Sequence, residues 1–213
     1  YYPDRILHHA IMNILEPIWV SVFTKDTYSC IKGRGIHGAM RNVKRAIKDR
    51  ENARYCLKID IRKFYPSIDH DVLKAIIRRK IKCKDTLALL DTIIDSTDGV
   101  PIGNYLSQYF ANLMLAYFDH WIKEEKRVRY YFRYADDMVF LASTKEELHI
   151  LLADIKKYLA ALKLTLKGNE QIFPIAENRA DKHGRGLDFV GFVFYHNQTL
   201  MRKSIKQNFC RMA

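Results

Sequence analysis

Residues 130–141 decide the fold: they read Tyr-Tyr-Phe-Arg-Tyr-Ala-Asp-Asp-Met-Val-Phe-Leu, with two adjacent carboxylates between two strand-like runs. Tyr, Phe and Val favour β-strands, and successive strand side chains point to opposite faces. Asp136 and Asp137 can therefore share one direction only at the turn of a hairpin. Such a turn would present a compact anionic tip suited to holding divalent cations against phosphate.

A second acidic strand is predicted at residues 55–61, which read Tyr-Cys-Leu-Lys-Ile-Asp-Ile. Asp60 is the expected partner of Asp136, because carboxylates from separate strands can hold two metal ions for nucleotidyl transfer. Each acid also has an ordinary explanation when taken alone. An Asp-Asp pair is often a solvated turn, and Asp60 could cap a helix.

The composition favours a polyanionic partner. The 213 residues include 36 Lys and Arg against 24 Asp and Glu, which gives a net charge of +12 and a pI near 9.5, a balance typical of nucleic-acid binding. The four cysteines have no C-x-x-C spacing, which argues against structural zinc and a disulfide framework; we expect reduced, buried or inert thiols. With no signal peptide and no long apolar run, the expected location is cytoplasmic.

Apolar spacing predicts helices near residues 4–22, with a kink or end near Glu16, and at 39–50, 69–82, 105–126 and 145–162. Beyond the two acidic segments, strands are expected at 164–166, 171–175, 187–194 and 200–202. The order β-α-β-β-α-β predicts an α+β fold with an antiparallel sheet backed by helices, the split β-α-β plan.

Four ordered motifs resemble prokaryotic reverse transcriptases over nearly the whole chain: the glycine loop at 33–38, Asp60, Gly-Val-Pro-Ile-Gly at 99–103 and Tyr-Ala-Asp-Asp at 134–137. The resemblance implies the fingers and palm of a right-hand polymerase. The fingers would comprise residues 1–57 and 69–97, and the palm residues 58–68 and 98–213. The thumb should follow Ala213 and be absent from this fragment.

Within that family, Ile-Gly-Asn-Tyr-Leu-Ser-Gln at 102–108 looks like the reverse transcriptases of diversity-generating retroelements, since most relatives have Q-G-x-x-x-S-P there. This likeness implies RNA-directed DNA synthesis that is error-prone at template adenines, with an RNA template, a DNA or RNA primer and dNTPs. It also implies a small helical accessory protein and a bacterial or phage origin. Group II intron and retron enzymes share the general plan and remain an alternative. So does a non-catalytic RNA-binding or defence module on the same fold.

The resemblance also assigns the metal and proton-transfer roles. Asp60 and Asp136 would bind two Mg²⁺ ions, with Mn²⁺ a possible substitute, and Asp137 would contribute more weakly. Lys167 falls where polymerases place a basic general acid that protonates pyrophosphate, although a solvated lysine at a strand end is the competing interpretation. Tyr65, five positions after Asp60, matches the steric gate that excludes a ribose 2′-OH, and the alternative is a core tyrosine.

The remaining roles concern the nucleotide and the primer. Arg34, with Lys32 in reserve, would hold the triphosphate. Ile102, Gly103 and Gln108 belong to the segment that contacts the incoming nucleotide and template base, where an apolar Ile102 would weaken checking of the nascent pair. The last assignment is a primer-gripping hairpin that includes Phe189, Gly191 and Phe192.

Overall fold

The chain is described by a computed structural model, which covers residues 2–101 and 105–212. The helices are α1 (Tyr2–Val20), α2 (Gly35–Ala46), α3 (His70–Arg78), α4 (Lys84–Ile94), α5 (Tyr105–Met114), α6 (Ala116–His120), α7 (Lys145–Ala161) and α8 (Lys203–Met212). The strands are β1 (Tyr55–Asp60), β2 (Tyr130–Tyr134), β3 (Asp137–Ala142), β4 (Gln171–Pro174), β5 (Leu187–Phe189), β6 (Phe192–Phe194) and β7 (Thr199–Met201).

The main sheet has the strand order β2-β3-β1-β4, and every neighbouring pair is antiparallel. Helices α3 to α6 lie between β1 and β2 in the chain, and α7 lies between β3 and β4, so the predicted α+β fold and its split β-α-β plan are confirmed. Strand β1 begins at Tyr55, which places the predicted boundary between fingers and palm inside a strand. The division into fingers and palm stays a prediction.

Side-chain alternation along the central strands divides the interior into two cores. Leu57, Ile59 and Phe140 face a large core shared with α1, α3, α5 and α7. Cys56 and Val139 face a smaller core shared with α2 and the hairpin β5–β6. Lys58 and Asp60 follow Cys56 at two-residue intervals, so their side chains lie on the same face of the sheet as Cys56. They are partly exposed, at the edge of the smaller core.

The second sheet is a three-stranded meander with the order β5-β6-β7. Phe189 and Phe194 are fully buried in the smaller core. This packing holds the meander against the face of the main sheet that bears Lys58 and Asp60. The sheet therefore forms one wall of the cleft described below.

Several helix boundaries differ from the predictions. The helix predicted over 105–126 is interrupted at Leu115, whose backbone leaves the helical region (φ −105°, ψ 1°), and it ends in a π-helical turn at Trp121–Glu125. The helix predicted over 69–82 ends at Arg78, and α4 and α8 were not predicted. Helix α2 begins four residues earlier than predicted, and α1 continues past Pro17 to Val20.

The four cysteines are free thiols, as expected. Cys56 is buried, Cys30 is partly buried, and Cys83 and Cys210 are exposed. Both exposed thiols lie at helices that the apolar spacing did not predict. Among the described helices, none combines the length and hydropathy that a membrane span requires.

Candidate active site

The two adjacent aspartates lie at a tight hairpin, as predicted. Tyr134 pairs with Asp137, which leaves Ala135 and Asp136 as the turn between β2 and β3. Ala135 adopts a left-handed backbone conformation with φ 54°, a conformation common in the two-residue turns that match strand twist. The turn places the Asp136 side chain at the end of the sheet.

Asp60 lies directly opposite Asp137 across the β1–β3 pair, so its carboxylate and both hairpin carboxylates share one end of the sheet. Burial raises the pKa of Asp136 above its ordinary 3.8, and the neighbouring Asp60 carboxylate raises it further. Burial also raises the pKa of Asp137, to about 6, despite the opposing effect of Lys58. The negative charges of these carboxylates therefore repel one another at a site that is partly shielded from water.

Two lysines oppose this negative charge. Lys167 Nζ lies 3.0 Å from Asp60 Oδ2, and the Lys167 backbone N–H donates to the Asp60 carbonyl at 2.9 Å. The hydrogen bond and charge of Asp60 raise the pKa of Lys167, so this ammonium stays protonated at neutral pH. On the other side, Lys58 Nζ lies 3.3 Å from Asp137 Oδ2 and donates to the Asp188 carbonyl of β5 at 2.6 Å.

These groups line a cleft of about 530 Å³ between the main sheet and the meander. The lining residues are Lys58, Asp60, Asp136, Asp137, Asn169, Gln171, Phe173, Arg185, Gly186 and Asp188. The four carboxylates and the amides of Asn169 and Gln171 supply hard oxygen atoms. Lys58 and Arg185 balance part of the negative charge. The lining is suited to a metal-bound polar ligand and not to an apolar one.

The carboxylates fit Mg²⁺ in chemistry, because hard divalent cations take carboxylate oxygens. Asp137 Oδ1 is buried and has no hydrogen-bond partner among the residues that the structure describes, which leaves an oxygen available as a ligand. Within residues 2–101 and 105–212, however, no three His, Cys, Asp or Glu side chains converge closely enough to form a metal site. Asp60 and Asp136 lie together, while Asp137 is drawn towards Lys58.

Tyr65 begins a short 3₁₀ turn, Tyr65–Ser67, just after β1. The phenol is half-buried, and its pKa is raised first by burial, then by the nearby Cys30 and Asp136. The ring therefore lies near the turn that carries Asp136. Gly99 supports the same segment: its left-handed backbone (φ 63°) lies so close that an added Cβ would be 2.6 Å from the Tyr65 carbonyl oxygen.

The two candidate triphosphate cations differ in their surroundings. Arg34 donates through Nη1 to the carbonyl of Thr27 at 3.1 Å and to the carbonyl of Thr24. The Lys32 side chain is exposed to solvent. Because Arg34 is engaged by the backbone, Lys32 is the cation better placed to bind a ligand.

The predicted primer-gripping segment forms the β5–β6 hairpin. Its turn consists of Val190 and Gly191, both with left-handed backbones (φ 45° and 86°). Phe189 is buried and Phe192 is partly buried against the smaller core. Both rings thus pack against the smaller core and support the hairpin.

Two predicted nucleotide contacts, Ile102 and Gly103, lie outside the described residues. Gln108 is half-buried in the first turns of α5. The sequence interpretation missed Lys58 and Asp188 as cleft residues. The strand period contained a signal for Lys58, because a residue two positions before Asp60 must share its face.

Comparison with known proteins identifies the family of the chain. The model of the family described as reverse transcriptase (RNA-dependent DNA polymerase) matches residues 2–169. The chain therefore belongs to the reverse transcriptase family. Protein YkfC of Escherichia coli K12 is 24% identical over 94% of this chain and 62% of its own length. The group II intron-encoded protein LtrA of Lactococcus lactis is 26% identical over 59% of this chain and 22% of its own.

Solved structures with the same fold include telomerases. The apo telomerase of Candida tropicalis, truncated from its C-terminal domain, aligns with a TM-score of 0.65 and 15% identity over 94% of this chain and 45% of that chain. The telomerase of the same organism in complex with a fragment of telomeric RNA gives 0.67 and 14%, over 91% and 37%. The chain thus spans less than two thirds of these relatives.

Proposed function

We propose that the protein is an RNA-directed DNA polymerase whose primer 3′-hydroxyl attacks the α-phosphate of a dNTP, releasing pyrophosphate. The observation that supports this most directly is the meeting of Asp60 and Asp136 in an open polar cleft beside Lys167. Membership of the reverse transcriptase family supports the same reaction. The enzyme would work chiefly by positioning and charge neutralisation.

Asp60 and Asp136 would hold Mg²⁺, or Mn²⁺ in its place, with Asp137 as a weaker contributor. Bound ions would lower the pKa of the attacking hydroxyl and neutralise the triphosphate. The raised pKa values of Asp136 and Asp137 support this assignment, because a divalent cation would stabilise carboxylate charges that burial, and to a smaller extent mutual repulsion, disfavour.

Other residues of this chain would bind and orient the substrates. Lys167, which stays protonated beside Asp60, would give a proton to the leaving pyrophosphate. Lys32 would contact the triphosphate, with Arg34 holding the loop in shape, and Tyr65 would exclude the ribose 2′-OH. The turn of the β5–β6 hairpin, at Gly191, would approach the primer terminus.

We further propose that the copying is error-prone at template adenines, in a diversity-generating retroelement with a small helical accessory protein. The segment Ile102 to Gln108 supports this assignment, because Ile102 stands where the family resemblance places a hydrogen-bonding glutamine in most relatives. The likeness to LtrA favours the second candidate, a group II intron reverse transcriptase. A telomerase of the same fold is solved with RNA, which is consistent with an RNA partner here.

The test is primer extension by the full-length protein on a defined RNA template, with dNTPs and Mg²⁺. Asp136→Asn should abolish extension, and Asp154→Asn should not, because that carboxylate pairs with Lys126 on the surface. RNA binding without extension, even with the native RNA and accessory factors, would favour the non-catalytic module.

Sequencing the products decides the subfamily. Errors concentrated at template adenines, and reduced in Ile102→Gln, would support the diversity-generating assignment. Accurate copying by the unmodified protein would retain the polymerase and favour the group II intron or retron alternative.

A further inference from the structure

Arg133 and Asp119 form an ion pair in the interior of the protein. Both side chains have 0% exposure, and Arg133 Nη2 lies 2.6 Å from Asp119 Oδ2, with Nε 2.8 Å from Oδ1. Replacing such a buried pair with uncharged residues is often neutral or stabilising, so the pair is weak evidence for stability alone. The hydrogen bonds that this pair makes to its surroundings indicate that it holds two segments of the chain in position.

On the palm side, the guanidinium holds the catalytic turn. Arg133 Nη1 donates to the Ala135 carbonyl at 3.1 Å and to Asn112 Oδ1 at 3.1 Å. Ala135 is the residue immediately before Asp136. The same cation therefore connects the turn to helix α5.

On the opposite side, the pair holds residues 26–28. Thr27 Oγ1 donates to Asp119 Oδ2 at 2.8 Å. The Arg133 backbone N–H donates to the Asp26 carbonyl at 2.9 Å, and the Tyr28 N–H donates to the Arg133 carbonyl at 3.0 Å. The loop that bears Lys32 follows directly, and Arg34 bonds back to the Thr27 carbonyl.

We propose that the Arg133–Asp119 pair is a positioning device that fixes the Asp136 turn relative to the loop that bears Lys32 and precedes α2. This inference rests on the proposed function, because those two segments would hold the metal ions and the triphosphate. Neither Arg133 nor Asp119 touches the substrate. They would act by fixing the distance between the Asp136 turn and the loop that bears Lys32, which would contact the substrate.

The test compares full-length wild type with Arg133→Met/Asp119→Asn. Asparagine leaves an oxygen to accept from the Tyr131 hydroxyl, which now donates to Asp119 at 2.6 Å. Amide hydrogen exchange, followed by mass spectrometry without substrates, should accelerate by about tenfold in peptides covering 24–31 and 132–138. The matched control is Arg78→Met/Asp91→Asn, which removes a two-pronged Arg–Asp pair between α3 and α4 and should leave both peptides unchanged.

The second readout is kinetic. The double variant should lose about 100-fold in kcat, the effect of a displacement near 1 Å, while its affinity for primer–template stays constant. Arg133→Lys keeps the charge but not the planar fork and should be intermediate; it also serves as the test if the double variant fails to fold. Unchanged exchange, or faster exchange with wild-type kcat, would overturn the proposal.

A different result would separate this proposal from the proposed function. If wild type does not extend primers but exchange accelerates in both peptides of the variant, the structural link stands and the assigned reaction is wrong. If wild type extends primers and the variant does so equally well, the reaction stands and the positioning role is wrong.

Discussion

Lys167 and Asp60 are joined twice at the end of the main sheet, by a 3.0 Å side-chain ion pair and a 2.9 Å backbone hydrogen bond. The backbone hydrogen bond fixes the position of the Lys167 main chain, and the ion pair holds its ammonium group beside the Asp60 carboxylate. This geometry gives the proposed general acid a defined place beside the proposed metal ligand.

Lys167→Met should lower kcat by about 100-fold or more, the usual effect of losing a positioned proton donor. Primer–template affinity should stay constant, because the nearby cleft residues are retained. Single-turnover extension and fluorescence anisotropy would measure the two effects. Lys163→Met is the matched control, since Lys163 makes a comparable exposed pair with Asp69 at 2.7 Å. Equal rates in both variants would remove the general-acid role.

Tyr65→Ala should weaken discrimination against ribonucleotides by about 10- to 100-fold, because the ring beside Asp136 would no longer fill the space of a 2′-OH. Tyr65→Phe keeps the ring and should retain discrimination. The ratio of kcat/KM for a dNTP and the matching rNTP measures the effect. Undiminished discrimination in the alanine variant would assign Tyr65 to packing alone.

Gly99→Ala should destabilise the protein by about 2 kcal/mol or more, because backbone strain adds to a clash with the Tyr65 and Pro66 backbone. Gly168→Ala is the control for strain alone, since Gly168 also has a positive φ (84°) but nothing within 4 Å of an added Cβ. Urea unfolding compares the two. A similar loss of stability in both variants would show that the contact with Tyr65 adds nothing to the cost of backbone strain.

His120 should make stability depend on pH. Burial disfavours its charged form, but the Glu124 carboxylate and the Val22 carbonyl prevail and raise its pKa above the ordinary 6.5. The stabilisation is complete below pH 6.5 and is lost as pH rises through the higher pKa of the folded protein. His120→Gln should therefore cost about 0.5 kcal/mol more at pH 6 than at pH 8.5. Thermal unfolding at both pH values tests this, and an equal cost would contradict it.

Arg133→Met alone should destabilise the protein by about 3–5 kcal/mol, because it leaves Asp119 buried without its counter-ion. Adding Asp119→Asn should recover most of that loss. Denaturant unfolding of the two variants measures the recovery. A double variant as unstable as the single one would mean that lost packing of the arginine stem dominates.

The sequence was sufficient to predict the hairpin and its meeting with Asp60. Strand alternation is local, and an acid pair that interrupts it marks the turn, so the place of Asp136 and Asp137 follows from a period of two. Asp60 was predicted as their partner from the chemistry of two-metal sites. The order of strands and helices then predicted the antiparallel sheet.

The contacts that arrange the site were not predictable in the same way. Arg133 and Asp119 lie on different elements, and their pairing depends on which side of α6 faces β2. Lys58 reaches the Asp188 carbonyl across 130 residues of chain. Nor does a sequence show that the carbonyls of Thr24 and Thr27 accept hydrogen bonds from the guanidinium of Arg34. These relationships arise from packing between elements.

Strand β1 is hydrogen-bonded on both sides, by β3 and by β4, and Asp60 is its last residue. An interior strand separates from its neighbours only when the sheet itself comes apart. Inactivation by denaturant should therefore share its midpoint with global melting. An assay of DNA synthesis would then report the fraction of intact molecules, without a folded but inactive population to correct for.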